Sequence, residues 1–316
     1  MEQNNTFIQT AQNILAQVNK AVVGKNSVLL WVLAAILAKG HILLEDIPGV
    51  GKTTMAVAFS KALGLHYNRV QFTPDVLPSD VTGYSVLDQA TGQMRYREGA
   101  VMCHLFLADE LNRATSRTQS ALLEAMEEGQ VTVDGVTHTI EQPFLVIATQ
   151  NPTGAAGTQL LPDSQMDRFA VRLSLGYPDP QDEITMLMQR QGADPMHTIV
   201  PVVDVAGLVQ MQALVADTHV SEEIAKYVVT LIDATRRSEL LNRGASPRAT
   251  LSVIAMAKAV ARLRGRDYVV PKDVQEVFIC TVAHRLQISA KAESQSMDAA
   301  QVLAFLLSKV RAPKLR

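Results

Sequence analysis

The sequence predicts a parallel α/β domain followed by a smaller helical domain. Three short apolar runs, HILLED (41–46), HLFLADE (104–110) and FLVIATQN (144–151), have the length and composition of buried parallel strands. Helical patterns alternate with these runs, and that alternation favours a sheet covered by helices on both faces. From about Asp204 onward the pattern is helical throughout.

Composition indicates a globular protein of more than one domain. The chain has 316 residues, and 47% of them are hydrophobic, which is ample material for a packed core. Its formal net charge of -2 gives no electrostatic reason to expect nucleic acid or an anionic membrane as a partner. The longest apolar run, 28–38, is too short to cross a bilayer. Cys103 and Cys280 have no paired spacing, so we expect buried free thiols, a cytoplasmic protein and no membrane insertion.

The boundary between the domains is expected near residues 192–203, in GADPMHTIVPVV. An α/β core would then cover 1–192 and a helical lid domain 203–316. Two β-hairpins are expected within the core, near 84–98 and near 130–140, because strand-like runs flank turn residues there. Three methionines are expected to fill the hydrophobic core: Met186, Met188 and Met211.

The segment EDIPGVGKTT (45–54) follows the first strand and resembles the phosphate-binding pattern G-x-x-x-x-G-K-[ST]. Only its first position differs, where Asp46 stands in place of glycine at the strand end, before the loop itself. A strand, a glycine-rich turn and a helix start together point backbone N–H groups at an anion. We expect Lys52 to contact the β- and γ-phosphates of ATP, and the Thr53 hydroxyl to bind Mg²⁺. The predicted loop residues are Pro48, Gly49, Val50, Gly51, Lys52, Thr53 and Thr54.

The predicted strand HLFLADE ends in two acids, Asp109 and Glu110. Adjacent residues at a strand end point to opposite sides, which suits two separate roles. Asp109 would hold Mg²⁺ through its water shell, and Glu110 would orient or deprotonate an attacking water. Alone this signal is weak, since strands often end in acids. Combined with the upstream loop it predicts a nucleotide-hydrolysing site.

Three further polar residues are candidates for the site. Asn151 ends the strand FLVIATQN, at the ligand side of a parallel sheet, where it would hold the attacking water. An Asn-Pro turn that merely ends the strand is the alternative. Arg168 precedes a predicted strand and Arg248 begins a predicted helix. Each is either a charge clamp on the transition state or an ordinary surface arginine. Arg113 and Arg117 either face an interface or lie at a solvated helix start.

The ordered motifs of the chain resemble those of the MoxR family of AAA+ ATPases. They are VVGK, EDIPGVGKTT, FLADELNRA, IATQNP, LPDSQMDRF and GASPRA, and the resemblance runs from about residue 15 to 290. It implies a AAA+ P-loop NTPase core followed by a small all-helical lid domain. An aspartate before Ile-Pro-Gly also occurs in that family. The adenine pocket that the resemblance implies is lined by Val22, Val23 and Gly24.

The same resemblance assigns a role to each polar candidate. Asp109 and Glu110 become the Walker B pair, Asn151 becomes sensor 1, Arg168 the arginine finger and Arg248 sensor 2. Family members assemble as rings, usually hexamers, with ATP between subunits. Arg168 would then belong to the neighbour's site, whereas Arg248 is left to act in cis or in trans.

The leading functional hypothesis is an ATP-driven, chaperone-like remodeller of client proteins. ATP and Mg²⁺ are the implied cofactors, and a von Willebrand factor A-domain protein is the implied partner. A nucleotide-gated scaffold, in which ATP binding organises a complex and turnover is incidental, is another class of function. Intact Glu110, Asn151 and Arg168 argue against an inactive ATPase.

Two motor functions of the same clade remain as alternatives. A magnesium-chelatase-like subunit carries much the same motifs. A nucleic-acid motor would be expected to line its pore with several basic hairpin residues. One hairpin here contains Arg95 and Arg97, but the other contains Asp134 and His138. No nucleic-acid partner is therefore expected.

Overall fold

The computed structural model of the protein describes residues 2–47, 49–151, 161–189, 192 and 194–314. Its strands up to residue 173 are β1 (Ile42–Glu45), β2 (Tyr67–Gln71), β3 (Gly83–Leu87), β4 (Met94–Glu98), β5 (Leu105–Asp109), β6 (Gln130–Val133), β7 (Val136–Thr139), β8 (Leu145–Gln150) and β9 (Val171–Leu173). Five of them form one sheet in the order β2-β5-β8-β1-β9. Every neighbouring pair in it is parallel, which confirms the predicted parallel sheet.

Helices connect these strands and cover both faces of the sheet. They are α1 (Glu2–Asn19), α2 (Asn26–Leu37), α3 (Lys52–Ala62), α4 (Pro78–Thr82), α5 (Ser116–Glu128), α6 (Asp163–Met166) and α7 (Pro180–Gln189). Local chemistry sets the ends of α5. The Thr115 side chain caps its first turn by accepting from the Thr118 N–H, and Gly129 ends it in the left-handed conformation.

Alternate residues of the central strands enter two separate hydrophobic cores. On β5, Leu105 and Leu107 pack with the helices of one face, whereas Phe106 and Ala108 pack on the other. All four side chains are fully buried. Successive residues of a strand point to opposite faces, so a strand covered on both sides must be apolar throughout. This is why the run LFLA carries no polar residue before its terminal acids.

Two antiparallel hairpins lie outside the sheet, at the positions expected from the turn residues. Strand β3 pairs with β4, and β6 pairs with β7. Asp134 and Gly135 connect β6 to β7 with positive φ angles of 50° and 79°, which is the backbone that a tight Asp-Gly hairpin turn requires. The hairpins touch, since the Tyr96 ring stacks on the His138 ring with centroids 3.7 Å apart.

The region after residue 204 is helical, as predicted, with one short strand pair added. Its helices are α8 (Val205–Ala216), α9 (Glu222–Arg237), α10 (Pro247–Leu263), α11 (Pro271–Val282), α12 (Ala290–Ser294) and α13 (Ala299–Lys309). Strands β10 (Leu241–Arg243) and β11 (Gln287–Ile288) pair antiparallel. No helix in the described part of the chain is both long and apolar enough to cross a membrane.

The helical region packs against the first two helices of the chain. Helix α10 contacts α1 and α2, and α8 contacts α2. The buried Gln212 amide donates to the Ile36 carbonyl oxygen at 2.8 Å, and the Arg262 guanidinium donates to Asn4 Oδ1 at 2.8 Å. One hydrophobic cluster therefore runs from α1 through α3 into α8–α11. Both cysteines are free thiols, with Cys103 buried and Cys280 half-buried.

His41 links the start of the sheet to the end of α5. Its Nδ1 accepts a hydrogen bond from the Val146 N–H at 3.0 Å, and its Nε2 lies 3.0 Å from the Met126 carbonyl oxygen. An accepting Nδ1 requires the proton to be on Nε2, which donates to that carbonyl. Burial lowers the pKa of His41 to about 4. The ring is therefore neutral and holds β8 and α5 at the same point.

We predict an acid-sensitive contribution of His41 to stability. An unfolded histidine takes up a proton near pH 6.5, whereas folded His41 resists protonation until about pH 4. The free energy of unfolding should therefore fall as pH drops through this window, by up to about 1.4 kcal/mol per pH unit. The measurement is urea denaturation at several pH values from 7 to 4. His41→Gln should flatten the slope, whereas His66→Gln, at an exposed position, should not. Equal slopes for wild type and His41→Gln would contradict this assignment.

Candidate functional site

The glycine-rich loop sits between the end of β1 and the start of α3. Gly49 and Gly51 have φ angles of 88° and 94°, a left-handed backbone that side chains rarely adopt. Gly51 immediately precedes Lys52, the first residue of α3. The loop thus presents N–H groups at a helix N-terminus, where the helix dipole favours an anion. Pro48, also predicted for this loop, lies outside the described residues.

Asp46 occupies the position where the phosphate-loop pattern has glycine. Its buried carboxylate accepts hydrogen bonds from the Ser174 hydroxyl at 2.7 Å, the Leu175 N–H at 2.5 Å and the Gly176 N–H at 3.1 Å. All three donors lie directly after β9, the neighbour of β1 in the sheet. Asp46 therefore fastens the segment after β9 to the start of the loop, a role that glycine cannot take.

Two backbone carbonyl groups fix the position of the Lys52 ammonium. The residue is 7% exposed, and its Nζ donates to the carbonyl oxygens of Asp46 at 2.6 Å and Ile47 at 3.2 Å. Burial lowers its pKa, and the nearby carboxylates of Asp46, Asp109 and Glu110 oppose that change. Among the described residues the Lys52 ammonium has two carbonyl partners, which leaves one of its three donors for an anion.

Asp109 is the centre of a hydrogen-bond network at the end of β5. The Thr149 hydroxyl donates to its Oδ1 at 2.7 Å, and the Thr53 hydroxyl donates to its Oδ2 at 3.3 Å. Arg69 also reaches Oδ2, at 2.7 Å. A carboxylate beside a hydroxyl at a phosphate loop is the oxygen pair that Mg²⁺ takes when phosphates supply its other ligands. The residues present therefore fit Mg²⁺ at Thr53 and Asp109.

Glu110 has a strained backbone and two side-chain partners. Its φ of 55° is unusual for a residue with a side chain, and strain of this kind collects at functional positions. The Thr149 hydroxyl oxygen accepts from its N–H at 2.8 Å. Asn151 donates to Oε1 at 3.2 Å and Arg113 donates to Oε2 at 2.7 Å. The predicted Glu110 and Asn151 are thus in direct contact.

Most of the predicted nucleotide residues line adjoining cavities. A cavity of about 270 Å³ is lined by Gly49, Gly51, Lys52, Thr53, Thr54, Asp109, Glu110 and Asn151. A neighbouring one of about 160 Å³ is lined by Ala21, Val22, Val23, Lys25, Gly49, Val50, Gly51, Thr54, Pro178 and Met186. Gly24 lies beside them against α7, where a Cβ would come within 1.8 Å of Asp182 Oδ2. The positive φ of Gly24, 76°, also favours glycine at this position.

Sequence reasoning missed several residues of these cavities. Met186 was expected in the core but lies beside Val50, because α7 packs across the loop. Met188 is 60% exposed, so it too is not a core residue, whereas Met211 is buried as expected. Arg69 and Thr149 reach Asp109 only through the order of the strands, and no local motif marks them.

The two predicted arginines come together on a single carboxylate. Glu127 pairs with Arg168 at 2.9 Å through one oxygen and with Arg248 through the other. Arg168 also donates to the Leu123 carbonyl oxygen. Both Leu123 and Glu127 belong to the last turns of α5. The end of α5 thus gathers one arginine that precedes β9 and another from the start of α10.

These arginines lie at the amino edge of the sheet, where its strands begin. Lys52 and Glu110 lie at the carboxyl edge, where the strands end. The phosphate loop follows the carboxyl end of β1. His41 immediately precedes the amino end of β1. Its ring bonds to the Met126 carbonyl oxygen in the last turn of α5, and its own carbonyl oxygen accepts from the Ala170 N–H at 2.8 Å. The sheet strands β1 and β8 have 4 and 6 residues, which span roughly 13–20 Å. That span separates the arginines from the phosphate loop of their own chain.

Comparisons with known proteins agree with this arrangement. The ATPase family associated with various cellular activities (AAA) matches residues 41–171, and the AAA lid domain matches residues 233–306. Chaperone MoxR1 of Mycobacterium tuberculosis is 36% identical, over 98% of this chain and 84% of that protein. The chain belongs to the MoxR family of AAA+ ATPases. This confirms the family resemblance and the fold class.

Two further similarities extend over nearly the whole chain of this MoxR-family protein. The uncharacterized protein YeaC of Bacillus subtilis is 42% identical, over 95% of this chain and 93% of its own. A crystal structure of a Cytophaga hutchinsonii protein assigned as an ATPase superposes with a TM-score of 0.90 at 34% identity. It covers 99% of this chain and 98% of that one. Core and lid therefore occur together in these relatives.

We predict that replacing Asp46 by the glycine of the general phosphate-loop pattern lowers the stability of this MoxR-family protein. Asp46→Gly leaves three donors after β9 without their acceptor, among them the buried Leu175 N–H, and adds backbone freedom, so unfolding should become easier by about 2–4 kcal/mol. Chemical denaturation of the purified variant measures this. Asp134→Gly is the matched control, since that aspartate is exposed and has a positive φ, and its stability should be unchanged. Wild-type stability for Asp46→Gly would contradict the role given to its carboxylate.

Proposed function

We propose that this chain hydrolyses ATP at sites shared between neighbouring subunits of a ring, most simply a hexamer. The observation that carries the proposal is the position of Arg168 and Arg248, which meet on Glu127 at the sheet edge opposite the phosphate loop. They are too far away to serve the ATP of their own chain. A head-to-tail ring brings that edge of one subunit to the carboxyl edge of the next.

One subunit supplies the cis half of the site. Lys52 contacts the β- and γ-phosphates, while the loop from Gly49 to Thr54 wraps them with N–H groups. Bound Mg²⁺, held by Thr53 and Asp109, would neutralise phosphate charge. Glu110 orients or deprotonates the attacking water and Asn151 positions it. Their contact at 3.2 Å supports this pairing. Val22, Val23 and Gly24 form the adenine end of the site.

The neighbouring subunit supplies the trans half. Arg168 acts as arginine finger, and Arg248 joins it, so both act in trans. The electrostatics support this. Three guanidiniums, of Arg168, Arg248 and Arg285, gather around only two carboxylates, of Glu127 and Asp167. The cluster keeps an excess positive charge, which suits a triphosphate presented by the next subunit.

We propose the division into an α/β core, 1–192, and a lid domain, 203–316. The matched ranges of the AAA family and of the AAA lid domain fall on either side of this boundary. Among the described residues, the lid packs on α1 and α2 and reaches the arginine cluster through Arg248 and Arg285. Lid movement would therefore act on the neighbour's site, through the arginines it helps to hold.

The work performed by the ring is proposed to be chaperone-like remodelling of a client protein. MoxR1, a full-length relative, is named a chaperone. We propose a cytoplasmic protein that acts with a partner containing a von Willebrand factor A domain. The stacked hairpins β3–β4 and β6–β7 are suitable elements to transmit movement, since β6 directly follows α5 and so connects to Glu127.

The test is ATP turnover measured against protein concentration, with oligomer mass determined on the same samples. Turnover per subunit should rise with concentration as rings form. Glu110→Gln should lower kcat roughly 10²–10⁴-fold and Arg168→Ala roughly 10³-fold, with ATP still bound. Arg237→Ala, an exposed arginine paired within its own helix, should keep wild-type turnover. A fully active monomer, or normal turnover by Arg168→Ala, would refute the shared site.

A further inference from the structure

Arg285 is a buried arginine that adds positive charge to the cluster above and also makes contacts that this charge does not explain. It lies in the 3₁₀ turn after α11, and its side chain is 1% exposed. Its Nη2 donates to the Phe169 carbonyl oxygen at 2.7 Å and to the Ser252 hydroxyl at 3.0 Å. Its Nη1 lies 3.2 Å from Asp167 Oδ1. Arg285 therefore bonds to both residues that flank the proposed arginine finger, Arg168.

A second contact from the helical region holds the same short segment. The Ser246 hydroxyl donates to Asp167, with distances of 2.9 and 3.0 Å to its two carboxylate oxygens. Ser246 also caps α10, because its Oγ accepts from the Ala249 N–H. The His284 ring adds a hydrogen bond to the Phe169 carbonyl oxygen at 3.0 Å. Residues from the start of α10 and from the turn after α11 thus converge on the segment 167–169.

The charge on Arg285 has a clear counter-ion. Burial lowers its pKa to about 10 and the Asp167 carboxylate opposes that change. The guanidinium stays charged at neutral pH, and a buried charge is tolerated only when it is paired and hydrogen-bonded. A planar guanidinium is also the side chain that bonds several acceptors at fixed angles, which an ammonium cannot do. Arg285 therefore fixes the positions of the residues that it bonds, Asp167 and Phe169.

We propose that Arg285 is a positioning residue, which holds Arg168 in place for catalysis in the neighbouring subunit and links the finger to the lid. The inference rests on the proposed function, since it requires Arg168 to act in trans. Because Arg285 joins residues on both sides of Arg168 to α10 and α11, the finger and the lid move as one unit. A shift of the lid in one subunit then changes the reach of Arg168 into the next.

The test is subunit mixing with Arg285→Met. Alone, this variant should bind ATP normally and keep its KM, while kcat falls roughly 10²-fold because Arg168 is misplaced. Glu110→Gln subunits are also inactive but carry an intact finger. Random mixing of equal amounts places a Glu110-containing site against an intact finger at about one interface in four, so turnover should return to about a quarter of wild type. Mixing Arg285→Met with Arg168→Ala should restore nothing.

Different failures have different meanings. Wild-type turnover by Arg285→Met alone overturns the inference. So does failure of Glu110→Gln to rescue Arg285→Met when it does rescue Arg168→Ala, since the damage then lies within the variant's own site. If Glu110→Gln rescues neither arginine variant, the shared site itself is wrong and the proposed function falls with the inference.

Two more variants separate positioning from folding. Asp167→Asn, at a half-buried carboxylate, should show the same loss and the same rescue even if Arg285→Met folds poorly. Arg285→Lys should retain the charge but recover only part of kcat. Arg262→Met is the matched control, because Arg262 is a buried arginine of the same region that bonds to Thr218 and Asn4. Rings of that variant should keep wild-type kcat, and a loss in it equal to that of Arg285→Met would overturn the positioning role.

Discussion

The length of the parallel strands is the constraint on which the site depends. Lys52 and Glu110 sit at the carboxyl edge of the sheet, and the carboxylate of Glu127 gathers Arg168 and Arg248 at the other edge. The strands of the sheet lie between these two groups in the folded chain. The chemistry of ATP hydrolysis needs both groups at one phosphate. In the shared site that we propose, this separation makes association a requirement of catalysis and ties activity to assembly.

Carboxylates organise both halves of the proposed site. Asp46 binds the segment after β9 to the phosphate loop, and Asp109 collects hydroxyl and guanidinium donors around the position suited to Mg²⁺. At the opposite edge Glu127 and Asp167 hold three arginines. Glu127 is exposed, but the buried or half-buried carboxylates of Asp46, Asp109 and Asp167 are costly unless they are paired, so their pairing fixes a geometry more than it adds stability. In the proposed site, that pairing would supply the accurate positions that phosphoryl transfer needs.

Sequence patterns predicted those parts of the structure that depend on residues close together in the chain. The loop, the strand-ending acids and both hairpins follow from residues close together in the chain, because backbone conformation and strand burial act over short distances. Contacts between distant segments had no such signal. Arg69 meets Asp109 only because β2 lies beside β5, and Glu127 meets Arg248 only because the helical region packs against α5. For the same reason, the sequence does not predict where Arg248 lies relative to the phosphate loop.

The most direct measurement is the structure of the ATP-bound Glu110→Gln assembly, by electron cryo-microscopy. Blocking hydrolysis keeps the γ-phosphate in place. We predict a closed ring in which the Arg168 guanidinium has left Glu127 and lies within about 3 Å of the γ-phosphate bound to the neighbouring subunit. A structure in which Arg168 contacts the ATP of its own chain, or in which it remains on Glu127 in a closed, ATP-filled ring, would contradict the shared site.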